Sequence, residues 1–186
     1  MNTERIVVVG LPGSGKTYWC KGYLKTWINT NPGKGALIVD VMSEYTGKGS
    51  IYRPADRTEP REEIEGLVQT ALIDPYIDKK KKRYHLVLFD EASRYIFPRV
   101  SLGPQFGYLN DFSRHMDLTM ICVARRFSQV HTDISELAHK LVIFSQTGKN
   151  DLERLAQIAE GLDDAVRGLS GHEHIEYSRG EIVRKL

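Results

Sequence analysis

Short apolar runs alternate along the chain with segments of helical spacing. Five runs are continuous: Ile6 to Val9, Ala36 to Val41 with Asp40 near its end, Leu86 to Phe89, Leu118 to Ala124, and Lys140 to Ser145. A run with no polar residue at every second position marks a strand covered on both faces. A first helix is expected from about Gly15 to Thr30, ended by the breaker cluster Asn29-Thr30-Asn31-Pro32-Gly33. A second begins at Glu59-Pro60-Arg61-Glu62-Glu63, where Pro60 and the acidic residues suit a first turn; Ile64, Leu67, Val68, Ala71 and Leu72 form its apolar face. A third follows Gly103-Pro104 to about Arg114. A fourth is capped by Asn150-Asp151, carries Leu155, Ile158 and Ala159, and ends near Gly161. The tail reads as a hairpin, His174 to Tyr177 and Ile182-Val183 about a turn at Ser178-Arg179-Gly180. Strands alternating with helices predict an α/β fold: a mainly parallel central sheet flanked by helices, with a C-terminal β-hairpin.

Composition narrows the class. Of 186 residues, 41% are hydrophobic and 27% charged, ordinary for a globular domain with a substantial core. No internal repeat or low-complexity linker appears. Residues 1–186 are therefore expected to form a single domain, with a core over about 5–160 and the hairpin over about 172–185. No apolar run approaches the roughly 20 residues of a membrane span. The start, Met1-Asn2-Thr3-Glu4-Arg5, has no basic segment leading into an apolar one, so no secretory signal is expected. Cys20 and Cys122 lack metal-ligand spacing and read as buried thiols in a reducing cytosol. The net charge of +2 does not by itself argue for nucleic acid. Local clustering does more: Lys79-Lys80-Lys81-Lys82-Arg83 reads either as a solvated loop or as a contact to a phosphate backbone. His172 and His174 share one face of a strand without further ligands, which suits a structural role better than metal.

The chemistry is concentrated after the first and third runs. Gly10-Leu11-Pro12-Gly13-Ser14-Gly15-Lys16-Thr17 fits the P-loop pattern G-x-x-x-x-G-K-[ST], between a strand and a helix as that pattern requires. Gly10, Gly13 and Gly15 allow the tight turn. Pro12 and Ser14 lie within the loop, and successive N–H groups form an anion nest at the helix N-terminus. Lys16 should reach the β- and γ-phosphates of ATP, and the Thr17 hydroxyl should ligate Mg²⁺. The third run ends in Asp90-Glu91, at the strand end where open α/β sheets place ligands. Asp90 is expected to hold hydrated Mg²⁺ and Glu91 to polarise the attacking water. An adjacent Asp-Glu pair favours ATPases with a catalytic glutamate, which insert a strand between the P-loop strand and the Asp-Glu strand.

Four further stretches resemble the FtsK/HerA superfamily of DNA-pumping ATPases. Asp40-Val41-Met42-Ser43-Glu44-Tyr45 is similar to its D-x-x-x-E-Y element, and Asp90 to Arg94 to its Walker B. Ser113 to Ile121 resembles its R-x-x-G-[IL] lead into a strand, and Ala124 to Ile134 its T-Q-R-P-S-x-[IV] segment. The resemblance spans roughly Ile6 to Ser145 and implies a RecA-like P-loop NTPase. It places Arg114 where the superfamily has an arginine finger acting on a neighbouring subunit, a group worth about 10³–10⁵ in rate. Arg125 stands where a sensor glutamine is usual. Two readings are open: Arg125 senses the γ-phosphate by charge, or Arg125 or Arg126 shares the finger role with Arg114. Arg94, Arg99 and Arg126 suit a DNA path, a subunit interface or plain surface.

Without a membrane anchor or DNA-reading domain, the chain looks most like the small genome-packaging ATPases of viruses. That resemblance implies ATP hydrolysis by a pentameric or hexameric ring, coupled to translocation of double-stranded DNA into a capsid. Capsid portal or vertex proteins are the implied further partners. The implied location is the host cytoplasm or the virion. The rivals are a filamentous-phage-type export ATPase of the zonula occludens toxin-like branch, a nucleotide-dependent assembly switch, and a small-molecule kinase, against which the Asp-Glu pair argues.

Overall fold

The computed structural model describes residues 3–186 apart from Lys48 and Arg179. Met1 and Asn2, Lys48 of the Gly/Lys-rich loop, and Arg179 of the expected turn lie outside the described residues. The chain begins with β1 (Arg5–Val9), α1 (Lys16–Thr30), β2 (Gly35–Val39) and β3 (Ser50–Tyr52). Next come α2 (Arg61–Val68), a π-helical turn over Gln69–Ile73, α3 (Asp74–Ile77) and β4 (Tyr84–Phe89). After these follow α4 (Pro104–Phe112), β5 (Thr119–Ala124), α5 (Thr132–Glu136), β6 (Lys140–Phe144), α6 (Lys149–Ile158) and α7 (Leu162–Arg167). The chain closes with β7 (His174–Ser178) and β8 (Glu181–Lys185).

The strands form one sheet in the order β3-β2-β4-β5-β1-β6-β7-β8. Strands β1 to β6 pair in parallel, and the hairpin β7–β8 adds two antiparallel strands at one end. The continuous apolar runs have the expected cause. Val7 and Val9 join Val87, Phe89 and Cys122 in a core under α2, α4, α6 and α7. Ile6 and Val8 join Leu88, Ile121 and Val123 in a second core under α1, through Cys20, Leu24 and Trp27. Both faces of each central strand are therefore dry, and each buried Val or Leu contributes about 1.5–3 kcal/mol. Among the described residues no helix is long and apolar enough to cross a membrane.

Strand β5 lies between β1 and β4, as an Asp-Glu ATPase fold requires. Its Val123 and Ala124 pair with Val8 and Val9, and its Cys122 with Phe89. Because the strands are parallel, their C-terminal ends share one edge of the sheet. Asp40, Asp90, Arg125, Gly10 and Ser145 all leave that edge, each directly after its strand, which is where such sheets bind ligands.

Three local departures have physical causes. The second helix is not continuous: Pro75 has no N–H for the Ala71 carbonyl, and the π turn accommodates it. Asp151 does not cap α6 as expected from sequence. The helix starts at Lys149, and Asp151 Oδ1 instead accepts the Ser128 N–H (2.8 Å). After Gly161, in the left-handed region (φ 77°), the chain resumes as α7.

Candidate active site

The glycine-rich loop is shaped by three anchors. Gly10 N–H donates to Ala124 O (3.4 Å), Leu11 N–H to Ser145 O (3.3 Å), and Ser14 N–H back to Leu11 O (3.2 Å). The loop is thus tied to the ends of β5 and β6. Gly15 has φ 108°, which an L side chain avoids, and a Cβ at Gly10 would lie 2.5 Å from both Phe144 Cβ and Ser14 Oγ. Pro12 and Gly13 are exposed, whereas Ser14 and Lys16 are buried. Lys16 Nζ donates to Gly10 O (2.6 Å) and Leu11 O (3.0 Å), so the ammonium is turned into its own loop. Burial lowers its pKa, opposed by the Glu91 and Asp90 carboxylates.

The Thr17 hydroxyl donates to Glu44 Oε2 (2.6 Å). Asp40 arranges this contact. It is fully buried, accepts the N–H groups of Glu44 (2.8 Å) and Tyr45 (3.2 Å), and pairs with Arg53 (3.0 Å). Asp40 therefore fixes the loop, and Glu44 reaches the site.

Asp90 is 3% exposed, and its Oδ2 has no hydrogen-bond partner among the described residues. Burial, then the charges of Glu91, Glu44 and Asp40, push its carboxyl up to about 7. A buried, unpaired carboxylate oxygen amid other carboxylates is what a hard divalent cation would relieve. Asp90 thus offers an oxygen that a hydrated Mg²⁺ could take, while the Thr17 hydroxyl is turned to Glu44. Ser14 Oγ is likewise buried without a hydrogen-bond partner among the described residues.

Glu91 has φ 45°, uncommon for a non-glycine residue, and starts a 3₁₀ turn over Ala92–Arg94. Arg125 Nε donates to both its oxygens, at 3.0 and 2.9 Å. Gln146 Nε2 in turn donates to Arg125 O (3.2 Å).

Other residues expected from sequence lie apart. Arg114 is exposed in the turn between α4 and β5. That is the N-terminal end of β5, opposite the phosphate-loop edge; six strand residues at about 3.3 Å each separate the two ends. The basic run precedes β4 at that same opposite edge. Part of it is engaged internally: Lys80 pairs with Asp78 (2.8 Å), and Lys82 donates to the Met116 carbonyl and to Asp117 O (3.2 Å). Arg94, Arg99 and Arg126 are exposed near the site edge, Arg94 donating to Arg57 O (3.2 Å).

Beside the loop lies a cavity of about 650 Å³ between α1 and the hairpin. Gly15, Tyr18, Trp19, Phe144, His172 and His174 line it. Tyr18 is 86% exposed, His174 stacks on Phe144 with ring centroids 4.9 Å apart, and His174 Nδ1 is buried without a partner among the described residues. Burial lowers the His174 pKa, opposed by the Glu176 carboxylate. Glu44, Gln146 and this aromatic wall were not assigned as site residues from sequence. The signal for the first two was their place in loops directly after parallel strands.

No protein-family model matches the sequence, and no curated protein matches it. Solved structures do. The genome packaging NTPase B204 from Sulfolobus turreted icosahedral virus 2, in complex with AMPPCP, superposes with TM-score 0.81 over 99% of this chain and 97% of its own, at 18% identity. This chain has a P-loop NTPase fold. The DNA-packaging ATPase B204 from Sulfolobus turreted icosahedral virus shares the P-loop NTPase fold at TM-score 0.81 and 19% identity, over 100% of this chain and 98% of that one. The N-terminal domain of zonular occludens toxin from Neisseria meningitidis aligns at TM-score 0.57 and 13% identity, over 100% and 93%.

Proposed function

We propose that this protein is an ATPase that drives double-stranded DNA into a viral capsid as a ring of identical subunits. One observation carries the reading. The chain matches a genome packaging NTPase over 99% of its own length and 97% of that chain, and its P-loop, Asp90 and Glu91 lie at one sheet edge. In this reading the loop from Gly10 to Thr17 cradles the triphosphate of ATP. Lys16 leaves the Gly10 and Leu11 carbonyls for the phosphates. The adenine lies in the aromatic cavity, against Tyr18 and His172. Thr17 and Asp90 hold Mg²⁺, which when bound neutralises charge on the phosphates. Glu91 polarises the attacking water, and Arg114 of one subunit stabilises the transferring phosphoryl group in the next. The position of Arg114 at the far end of β5 suits such an action in trans.

The weaker likeness to the zonular occludens toxin domain keeps an export ATPase acting on single-stranded DNA as a second reading. Phosphate release measured without DNA, with double-stranded DNA and with single-stranded DNA separates the two. Packaging predicts stimulation chiefly by the duplex, export chiefly by the single strand. Absence of stimulation by either would leave an assembly switch.

A further inference from the structure

Three polar or charged groups at the phosphate-loop edge are held by partners inside the chain. Lys16 sits on loop carbonyls and Thr17 on Glu44. The third, Arg125, sits on Glu91, the residue assigned to the water. That last contact joins two charged groups of the reaction to each other.

Its geometry is specific. The pair uses both carboxylate oxygens of Glu91 but only Nε of Arg125. The two Nη groups make no hydrogen bond among the described residues, and the Arg125 side chain is 41% exposed against 15% for Glu91. Both residues sit on fixed backbone. Glu91 opens a 3₁₀ turn, and the Arg125 carbonyl is held by Gln146. Arg125 directly follows Ala124, whose carbonyl accepts the Gly10 N–H, so the guanidinium starts from backbone that touches the phosphate loop.

We propose that Arg125 is a latch on Glu91 which the γ-phosphate of ATP opens. The proposal rests on the ATPase reading above. Without a γ-phosphate, the guanidinium occupies both oxygens of Glu91 and stabilises its negative charge, which makes it a poorer partner for water. A γ-phosphate carries more charge than a carboxylate and offers oxygens that match the guanidinium fork. It draws Arg125 over and releases Glu91. After phosphate leaves, the pair re-forms. A partly exposed ion pair is weak enough for this exchange. A neutral amide at position 125 would carry no charge with which to hold the carboxylate. Arg125 thus has two alternative partners, the Glu91 carboxylate without ATP and the γ-phosphate with it.

A double-mutant cycle in nucleotide affinity tests this. Calorimetry is run on the wild type, Arg125→Ala, Glu91→Ala and the double variant, with AMPPCP and with ADP. Direct effects of each side chain on the nucleotide cancel in the cycle, leaving the pair that binding breaks. The latch predicts non-additivity of about threefold or more for AMPPCP, and additive effects for ADP. Additive effects for AMPPCP, or equal coupling for both nucleotides, overturn the latch and leave the ATPase reading standing. Failure of the wild type to bind AMPPCP overturns the ATPase reading itself. If alanine weakens the fold, the same cycle with Arg125→Gln and Glu91→Gln gives the same test at reduced amplitude.

Discussion

Lys16 and Glu91 separate binding from chemistry at the level of single side chains. Lys16→Ala removes the buried cation of the loop and is expected to abolish ATP binding. Glu91→Gln keeps the shape but not the base, so ATP should bind while turnover falls about 10²–10⁴-fold. An active Glu91→Gln enzyme would remove Glu91 from its assigned role. Asp90 makes a pH prediction. Its folded-state carboxyl is raised to about 7, so ionising it costs stability as the pH climbs through that value. In metal-free buffer Asp90→Asn should raise the melting temperature by a few degrees at about pH 8 and lose the gain toward about pH 4. A gain independent of pH would contradict this. The positions of Lys16, Thr17, Asp90 and Glu91 at one sheet edge were legible because each stands at a fixed offset from a buried strand. The Thr17–Glu44 and Glu91–Arg125 contacts were not, since they depend on loop paths that periodicity does not encode.

At the scale of elements, the apolar runs gave away β1, β2, β4, β5 and β6, because burial on both faces leaves no polar alternation to confuse the pattern. Strand β3 has three residues inside a Gly- and Lys-rich stretch, too short to show a period. Helix α7 has six and follows Gly161, a residue that reads as a stop. The hairpin was legible as strands, but its place beside the P-loop was not, because strand order is set by tertiary packing. That placement carries a prediction. If α1 and the hairpin enclose adenine, Tyr18→Ala combined with His172→Ala should weaken ATP binding by about tenfold, in line with aromatic–base stacking. Both residues are exposed, so the fold should tolerate the change. Tripolyphosphate, which has no base, should bind as before. An equal loss for both ligands would place the base elsewhere.

At the scale of the whole molecule, the site at one sheet edge and Arg114 at the other suit subunits that complete one another around a ring. Mixing Arg114→Ala subunits with Glu91→Gln subunits should restore part of the ATPase rate, since some interfaces then join an intact glutamate to an intact arginine. Mixtures no more active than their components would remove Arg114 from the reaction in trans. The central claim is that hydrolysis moves DNA. Displacement of a triplex-forming strand from a duplex measures that movement directly. The wild type is predicted to displace the third strand in an ATP-dependent manner, whereas Glu91→Gln should bind the same duplex and displace nothing. ATP hydrolysis at full rate on that duplex with the triplex left intact would contradict the account.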